Sequence, residues 1–531
     1  MTPKKIIASV FVSFSLLGSL FSYSQSMPKF DEDMMTVLET CGPLIPLTLN
    51  EVIQNTVTLR PRTGIQIEDV RIQSGRVQQN AGPFDWVADF QFSQNTLTDV
   101  FFLGFQQNLD GKISRGTLRG RKKCRIGTQM TVRVDAESVN NPGDFFFQRF
   151  SNAVVTFTAV QPALRGFKFG EDTITELASQ YELQAVYYDS LFNISNLIRG
   201  SLIAYWNVVR SQQLLKILRE SVKSFEELAN NVQRLIDEDQ LARTQINQPL
   251  AQLASEQINL KLAEQRLYSD VQALKIAMGT VDTHCFSDSL LYAVHPFPEV
   301  ERELDVCKLM KCLSDYAVKN RLDRLASEIR IEELAVLVKG AENQSLPRLD
   351  FFYEFVMTQF KRDQRSRFFF SSFDFPNPQR DNAVGVIFSY PICNNAAKGL
   401  FRRLKAEWRK QELSTEELSQ QIVAEVMEAW MDHIRLQQEL KRATESVERF
   451  QQLVDDENTL LKEGIGSLFN LVDFQTRLTR AQTEQIQIKR NLAENLANLH
   501  FFTGTLIRPG SSLCSINVEN VTDIPLAEQS E

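Results

Sequence analysis

Apolar positions recur at helical spacing over two unusually long stretches of this chain. In the first stretch the steps are four and three residues, through Leu218, Val222, Phe225, Ala229, Val232 and Ile236. A second stripe includes Ile422, Val426 and Trp430, and the residues opposite both stripes are mostly charged or amide side chains. The patterns cover about 170–238 and 395–463, so each helix would be on the order of 100 Å long. Such stripes predict helices that pack sideways against neighbouring helices.

Four short segments instead alternate apolar and polar residues with a period of two, the pattern of a strand with one apolar face. They lie at residues 84–92, 152–160, 349–357 and 384–390. Their lengths are close to the roughly 9 to 11 residues of a tilted strand that crosses a bilayer. Strands of a soluble sheet alternate in the same way. However, the apolar positions are rich in Phe, Tyr and Trp, and the strands occur in pairs between long helices, which favours a membrane location.

Four strands are too few to close a membrane barrel, since the smallest barrels have about eight and an open edge leaves backbone groups unsatisfied in lipid. If the strands enter a membrane, the chain must therefore oligomerise. The connections within the two pairs, at about 95–150 and 361–382, are predicted to be long loops on the outer face. The first loop carries a basic patch formed by Arg119, Arg121, Lys122, Lys123 and Arg125. We expect both loops to be variable surface without a specific ligand.

The same order of elements occurs twice along the chain: a helical opening, a strand pair, a long helix and a shorter helix. We predict five segments, namely a signal peptide at 1–24, an N-terminal segment at 25–45, a first structural repeat at 46–283, a second repeat at 300–505 and a C-terminal tail at 506–531. The tail is polar and is assigned no role.

The signal peptide is indicated by Lys4 and Lys5, an apolar run that ends near Phe21, and small residues before Gln25. An amino-terminal membrane anchor is the rival interpretation. The run of about 16 apolar residues falls short of the roughly 20 that a membrane span needs, so export is favoured. Beyond this segment the sequence contains no apolar run of 18 residues.

Composition excludes several classes of function. The net charge is −8 over 531 residues, with acidic and basic residues interleaved, which does not favour nucleic-acid binding. The seven cysteines form no CxxC pair, so a zinc or redox motif is not indicated, and their pairing is left open. The four histidines are isolated, and no hydrolase, metalloprotease or nucleotide-binding motif occurs. We therefore predict no catalytic residues, no cofactor and no metal.

One segment resembles a known family most clearly. It reads Glu463-Gly464-Ile465-Gly466-Ser467-Leu468-Phe469-Asn470-Leu471-Val472-Asp473 and leads into a helix that ends near Gly504. Residues 47–55 are similar to the helix-starting segment of the same family, and residues 82–85 and 161–167 to its strand entry and exit. No single motif is specific, but their order and spacing span nearly the whole chain after the signal. The sequence resembles the TolC-like family of outer membrane efflux proteins.

This resemblance implies a mainly α fold with a small membrane β-sheet. Each chain of a homotrimer would give four strands to a twelve-stranded β-barrel in the outer membrane, and the long helical hairpins would form an α-barrel in the periplasm. The protein would be the exit channel of a tripartite efflux or type I secretion system and would conduct solutes or polypeptides passively. Its partners would be a periplasmic adaptor, an inner-membrane transporter and outer membrane lipid. The alternative from the residues alone is a non-conducting periplasmic coiled-coil scaffold or adaptor.

The resemblance also implies a periplasmic entrance. Two Asp positions that line this entrance in the family correspond to Asn470 and Asp473, so one carboxylate per chain is kept. Three copies of Asp473 would attract cations, although a solvated carboxylate at a helix start is the simpler interpretation. The polar links that close the family's entrance correspond to Ile246, Leu461 and Gly466, none of which can form a side-chain salt bridge. A closed entrance would then be held by apolar contacts or would be looser.

Overall fold

The computed structural model describes residues 44–97, 100–102, 105–107, 111–140, 149–238, 242–281, 290–298, 306–362, 378–463, 465–507 and 522–525. The predicted signal peptide and nearly all of the predicted N-terminal segment lie outside the described residues. So do Gly464 and most of the second predicted loop, at 363–377.

The described residues of the first half contain four α-helices. Helix α1 (Leu49–Thr58) begins with a capping box, in which Thr48 and Glu51 each accept a hydrogen bond from the other's backbone N–H. Helix α2 spans Pro61–Ala81, and proline is favoured at a helix start because its missing N–H would be unsatisfied there. The long helix α3 spans Glu171–Asp237, 67 residues, and α4 spans Asn247–Met278. Helix α4 ends at Gly279, whose φ of 75° lies in the left-handed region.

The second half repeats this order with different lengths. Helices α5 (Val306–Asn320) and α6 (Leu322–Gln344) precede the strands, the long helix α7 spans Asn395–Lys462, 68 residues, and α8 spans Leu468–Thr503. Helix α8 ends at Gly504 with a φ of 73°. The two long helices that the apolar stripes predict are therefore confirmed within one or two residues at each end. Among the described residues, none of the helices has the length and apolar character needed to cross a membrane.

The strands form one antiparallel sheet of six and two small pairs. The strands are β1 (Leu44–Leu47), β2 (Val87–Leu97), β3 (Val100–Phe102), β4 (Phe105–Gln107), β5 (Gly111–Lys123), β6 (Gln129–Asn140), β7 (Arg149–Pro162), β8 (Leu290–Ala293), β9 (Arg348–Arg362) and β10 (Gln379–Ser389). The large sheet has the order β10-β9-β7-β6-β5-β2. Strands β1 and β8 pair in parallel, and β3 pairs with β4. The mainly helical fold with a small sheet is confirmed.

The strand count and the first loop were predicted wrongly. The sheet contains the four predicted strands, β2, β7, β9 and β10, and two more, because residues 111–140 form a hairpin of β5 and β6. The basic patch therefore lies on strand β5 and its turn and not in an outer loop. The hairpin escaped detection because its apolar positions include Gly116, Gly120 and Ala136, so the period of two is carried by small residues with few large side chains.

Backbone register divides the side chains of this sheet into two faces. Residues paired across strands share a face, so Phe90, Leu118, Val134, Val155 and Met357 form one continuous row. The neighbouring row on the opposite face contains Gln91, Thr117, Asp135, Val154 and Thr358. We call these the apolar face and the polar face. Exposed large apolar side chains on the apolar face include Trp86, Phe90, Phe92, Leu118, Val132, Phe351, Val384, Val386 and Phe388.

The four helices that continue the strands stand side by side in the same order as the strands. Helix α7 packs against α6, α6 against α3, and α3 against α2. Farther from the sheet the order becomes α7, α8, α3, α4. The largest buried cluster joins α1, α3, α4 and α8 around Tyr205, Trp206 and Met278. Each chain is thus a curved wall of four helices topped by a sheet.

Candidate functional site

The end of the helices farthest from the sheet, which we call the tip, brings together most of the predicted entrance residues. A buried apolar cluster joins α3, α7 and α8 here through Phe225, Leu228, Val232, Ile236, Val454, Leu468, Leu471 and Val472. Ile246 and Leu461, from opposite halves of the chain, both pack against this cluster. Ile246 and Leu461, for which the sequence predicts no salt bridge, are therefore both held by the same apolar cluster within one chain.

Gly466 makes the turn between α7 and α8 possible. Its backbone N–H donates to the Leu460 carbonyl at 2.9 Å, and a Cβ at this position would lie 2.4 Å from the Leu461 nitrogen. Any side chain would therefore collide with backbone. The Ser467 N–H donates to the Glu457 carboxylate at 2.6 Å, which satisfies a donor at the start of α8. The turn is consequently tight and fixed by local contacts.

Asp473 and Asn470 lie on the first turns of α8. Asn470 is exposed, and the Asp473 side chain is 39% exposed. Arg477, one helical turn later, donates to Asp473 Oδ2 at 2.8 Å. The carboxylate is therefore partly neutralised within its own helix, a feature that sequence reasoning missed although the i, i+4 spacing of the two residues signals it.

Two apolar side chains at the tip are unusually exposed and were also missed. Ile465 is 74% exposed and Phe469 is 66% exposed. They flank the tight turn, where the chain offers them no buried neighbours. Singly exposed apolar residues are common on proteins, but here both stand at the outermost end of the molecule, next to Asp473.

Above the tip, the helices from the two halves are joined by polar side chains. Ser221 and Thr479 lie 3.1 Å apart, Gln475 donates to Ser224 at 2.9 Å, and Arg490 donates to Asn207 at 2.8 Å. These bonds tie α3 to α8 along the wall. The tip cluster and these polar bonds connect the two halves of the chain along α3 and α8.

Burial shifts the pKa values of several titratable groups in the wall, including His500 and Glu333. The His500 side chain is buried, and burial lowers the pKa of His500 to about 4. Its Nε2 lies 2.8 Å from the Asp523 carbonyl and so carries the proton, and its Nδ1 lies 2.8 Å from the Thr505 hydroxyl. Burial, followed by the nearby Glu182, raises the pKa of Glu333 on α6 to about 7. Neither group lies near a candidate metal site, since no cluster of His, Cys, Asp and Glu in the described residues is arranged to hold a metal.

Cys124, Cys312 and Cys393 are free: the first two are half-buried, and Cys393 is exposed. The predicted tail is partly described. Ile524 packs into the buried cluster of α5, α7 and α8, so residues 522–525 return to the wall.

The geometry of the wall and sheet agrees with comparisons to known proteins. Residues 313–505 match the sequence profile of the family described as outer membrane efflux protein. The matched segment begins within α5 and runs through α6, β9, β10, α7 and α8, so the second half of the chain resembles this family. No curated protein sequence matches the chain significantly.

Solved structures share the fold of this chain at low sequence identity. It is similar to the Campylobacter jejuni CmeC outer membrane channel, with a TM-score of 0.60, 14% identity, and coverage of 89% of each chain. It is similar to the Vibrio cholerae outer membrane protein VceC, with a TM-score of 0.62, 14% identity, and coverage of 86% of this chain and 96% of that one. It is also similar to the open state of the Neisseria gonorrhoeae MtrE outer membrane channel, with a TM-score of 0.61, 14% identity, and coverage of 86% of this chain and 88% of that one.

Proposed function

We propose that three copies of this chain assemble into a continuous duct, closed by their sheets in the outer membrane and by their helices in the periplasm. The observation that carries the proposal is the sheet itself. Its apolar face is rich in exposed aromatic and branched side chains, and within the described residues its edge strands β2 and β10 each pair on one side only. Open edges are unsatisfied in lipid, and six strands are fewer than the roughly eight of the smallest barrels.

The lateral edges of the helical wall support the same assembly. The outermost helices are α2 and α4 on one side and α7 on the other. They carry large apolar side chains that are exposed in the single chain, namely Ile65, Ile72, Ile258, Leu262, Ile276, Leu413, Met427 and Met431. Such residues at both lateral edges are suited to burial between copies.

The duct would carry solutes or polypeptides passively in a tripartite efflux or type I secretion system. An inner-membrane transporter would supply the energy, and a periplasmic adaptor would join it to the tip. We propose that the chain itself performs no chemistry. The exposed Ile465 and Phe469 at the tip are suited to an apolar contact with such an adaptor or between copies.

The first experiment measures assembly and conduction. We expect the protein extracted from outer membranes to have the mass of a trimer by light scattering in detergent and to give stepwise single-channel currents in a planar bilayer. A particle of another stoichiometry would contradict the trimer. Recovery in the soluble periplasmic fraction without conductance would instead support the alternative, a non-conducting periplasmic scaffold.

The second experiment tests the entrance, where three copies of Asp473 would surround the axis. We expect Asp473→Asn to lower the preference for cations, because it removes one negative charge per chain from the narrowest region. Arg477→Gln should raise it, because Arg477 is the cation that partly neutralises Asp473. The measurement is the reversal potential across a salt gradient.

The matched control for this experiment is Asp432→Asn. Asp432 forms a similar surface pair with Arg435 at 3.2 Å but lies midway along α7. Its substitution should leave the reversal potential unchanged. Equal shifts from Asp473→Asn and Asp432→Asn, or none from either, would remove Asp473 from the entrance.

A further inference from the structure

The β5–β6 hairpin is an addition to the strand pairs that the sequence pattern reveals, and its placement has a consequence for the assembled pore. We propose that the hairpin is a permanent part of the membrane wall, so that three copies close a barrel of eighteen strands. This inference rests on the proposed trimer. In such a barrel, edge strand β10 of one copy pairs with edge strand β2 of the next copy.

The hairpin has the same two-faced pattern as the strands beside it. Between Lys112 and Lys122 at the two ends of β5, its apolar face contains Gly116, Leu118, Gly120, Val132 and Val134, in register with Phe90 and Phe92 on β2 and with Val155 and Phe157 on β7. Its polar face carries five cations and two carboxylates: Arg115, Arg119, Arg121, Lys123, Arg133, Asp135 and Glu137. Charges at this density require water, whereas the opposite face suits lipid. The hairpin is therefore built for a position between lipid and an aqueous lumen.

Full pairing on both sides holds the hairpin within the sheet. Strand β5 pairs with β2 from Val87 to Leu97, and β6 pairs with β7 over the whole length of β6. Cross-strand ion pairs add to the backbone bonds: Arg121 contacts Asp89 at 2.9 Å and Arg115 contacts Glu137 at 2.9 Å. Swinging the hairpin out of the wall would break both ladders and leave β2 and β7 too far apart to pair directly.

The turn of the hairpin is fastened to the start of α3. Arg125 donates two hydrogen bonds to the Glu176 carboxylate, at 2.7 and 2.6 Å, and the Glu176 side chain is only 8% exposed. Lys123 pairs with Asp172, and the Thr173 hydroxyl donates to the Arg125 carbonyl at 2.9 Å. Asp172 lies in the first turn of α3, where the helix dipole favours an acidic residue.

Gly127 shows how closely the turn approaches the junction between β7 and α3. Its φ is +96°, and a Cβ at this position would lie 2.3 Å from the Gly166 carbonyl oxygen. The Lys168 N–H donates to the Ile126 carbonyl at 3.3 Å. The turn has no space for a side chain at Gly127, and it is hydrogen-bonded to the start of α3. It is therefore fixed to the body of the protein.

Strand polarity permits closure with the hairpin in place. Every neighbour in the six-stranded sheet is antiparallel, so β2 and β10 at its two edges run in opposite directions. The edge β10 of one copy can therefore pair antiparallel with β2 of the next. An insertion of two strands preserves this relation, whereas an insertion of one would force a parallel seam.

The widths of the two layers also agree. Six strands about 4.8 Å apart and tilted by about 40° occupy an arc of about 38 Å. Four helices side by side at about 9 to 10 Å occupy about 36 to 40 Å. A six-stranded sheet thus matches the four-helix wall beneath it. By the same geometry eighteen strands give a barrel about 36 Å across between backbones, compared with about 24 Å for twelve.

The direct test is the symmetry and strand count of the detergent-purified full chain by cryo-electron microscopy. We expect three-fold symmetry and eighteen strands. A three-fold particle with twelve strands and the hairpin outside the wall would overturn this inference and leave the proposed duct intact. A particle without three-fold symmetry would overturn the trimer and, with it, the count of eighteen.

An independent test uses thiol labelling of the trimer in lipid vesicles with a membrane-impermeant methanethiosulfonate. The native cysteines are first replaced by serine, and the trimer mass is confirmed. Arg119→Cys, on the polar face of β5, should be modified, and Leu118→Cys, on the apolar face, should be protected. Thr156→Cys and Phe157→Cys on β7 provide the matched pair from an originally predicted strand. Modification of Leu118→Cys as complete as that of Arg119→Cys, with Phe157→Cys protected, would place the hairpin in water and overturn the proposal.

Discussion

The two halves of the chain build the same order of elements with different joints. Where strands give way to helices, the first half uses charge, through Arg125 with Glu176 and Lys123 with Asp172. The second half has one ion pair, between Arg348 and Asp350 at the start of β9, and its helices are joined by neutral amides. Asn343 accepts from the Gly166 N–H of the first half at 2.7 Å, and Asn394 donates to the Ser345 carbonyl at 3.0 Å. Ion pairs between a strand turn and a helix occur at the joint that carries the extra hairpin. A repeated fold can thus take up two more strands where an ionic anchor fixes their turn.

The tips of the two halves differ as well. In the second half Gly466 makes a tight turn whose backbone leaves no space for a side chain. In the first half a short 3-10 helix at Arg243–Ile246 leads directly into α4. We therefore expect the second half to be the more sensitive to substitution at its tip, and the first half at the end that joins the sheet. The following substitutions test that contrast.

The largest effect is expected for Gly466→Ala. The new Cβ would meet the backbone of Leu460 and Leu461, so the turn must shift, at a cost of about 3 kcal/mol. We expect a clear drop in the midpoint of thermal unfolding in detergent. Gly399→Ala, in the same half, is the control, since its Cβ meets nothing within 4 Å. Alanine within helix α7 should stabilise the protein by about 0.5 to 1 kcal/mol. Equal effects of the two substitutions would show that the turn is not tight.

Arg125→Gln should have the next largest effect on stability. It leaves the buried Glu176 carboxylate without its bidentate partner, at a cost of about 2 kcal/mol. Thermal unfolding at fixed scan rate measures the loss. Arg115→Gln on the same hairpin removes the pair with Glu137, in which the arginine is 57% exposed, and should cost less than about 1 kcal/mol. If both variants unfold at the same temperature, Arg125 is not the anchor of the hairpin.

The acid stability of the second half should depend on His500. Its folded pKa of about 4 lies below the ordinary value of 6.5, so its contribution to stability is present above pH 6.5 and is lost as pH falls towards 4. We expect the unfolding midpoint to decrease over that window. His500→Gln should make the decrease shallower, even if the variant is less stable at pH 7. An unchanged slope would assign the acid sensitivity to other groups.

The smallest effect is expected at the contact between the halves, where Glu333 of α6 lies near Glu182 of α3. The pKa of Glu333 is raised to about 7, so its contribution is present below pH 4.5 and is lost as pH rises through 7. Glu333→Gln should therefore raise the unfolding midpoint slightly at pH 8 and leave it nearly unchanged at pH 4. A larger increase in the unfolding midpoint at pH 4 than at pH 8 would contradict the direction of this pKa shift.

Most of the fold could be predicted because its elements are long and strongly periodic. The seam from Leu218 to Ile236 fixes the face that α3 buries, and the alternation around Phe90 and Phe355 marks strands without ambiguity. The β5–β6 hairpin could not be found in this way, because glycines and alanine occupy its apolar positions and arginines its polar ones. A run of charge at every second residue was the available signal, and it was interpreted as a loop.

Less of the candidate entrance could be predicted. The order Gly466, Asn470, Asp473 follows from the resemblance, and the apolar character of Ile246 and Leu461 is legible in the sequence. Their contact with one cluster depends on how α3, α7 and α8 converge, which no local pattern determines. The hydrogen bond between His500 and Asp523 could not be predicted either. Its acceptor is a backbone carbonyl, and it lies in a tail whose sequence has no periodic pattern.

The unbroken length of α3 and α7 has a mechanical consequence. Both helices continue from the sheet and reach the tip about 100 Å away, so each can act as a lever with its pivot at the sheet. A tilt of about one degree at the pivot displaces the far end by about 1.7 Å. In the proposed trimer, small adjustments of the helices beside the sheet would therefore be magnified into larger changes of aperture at the tip.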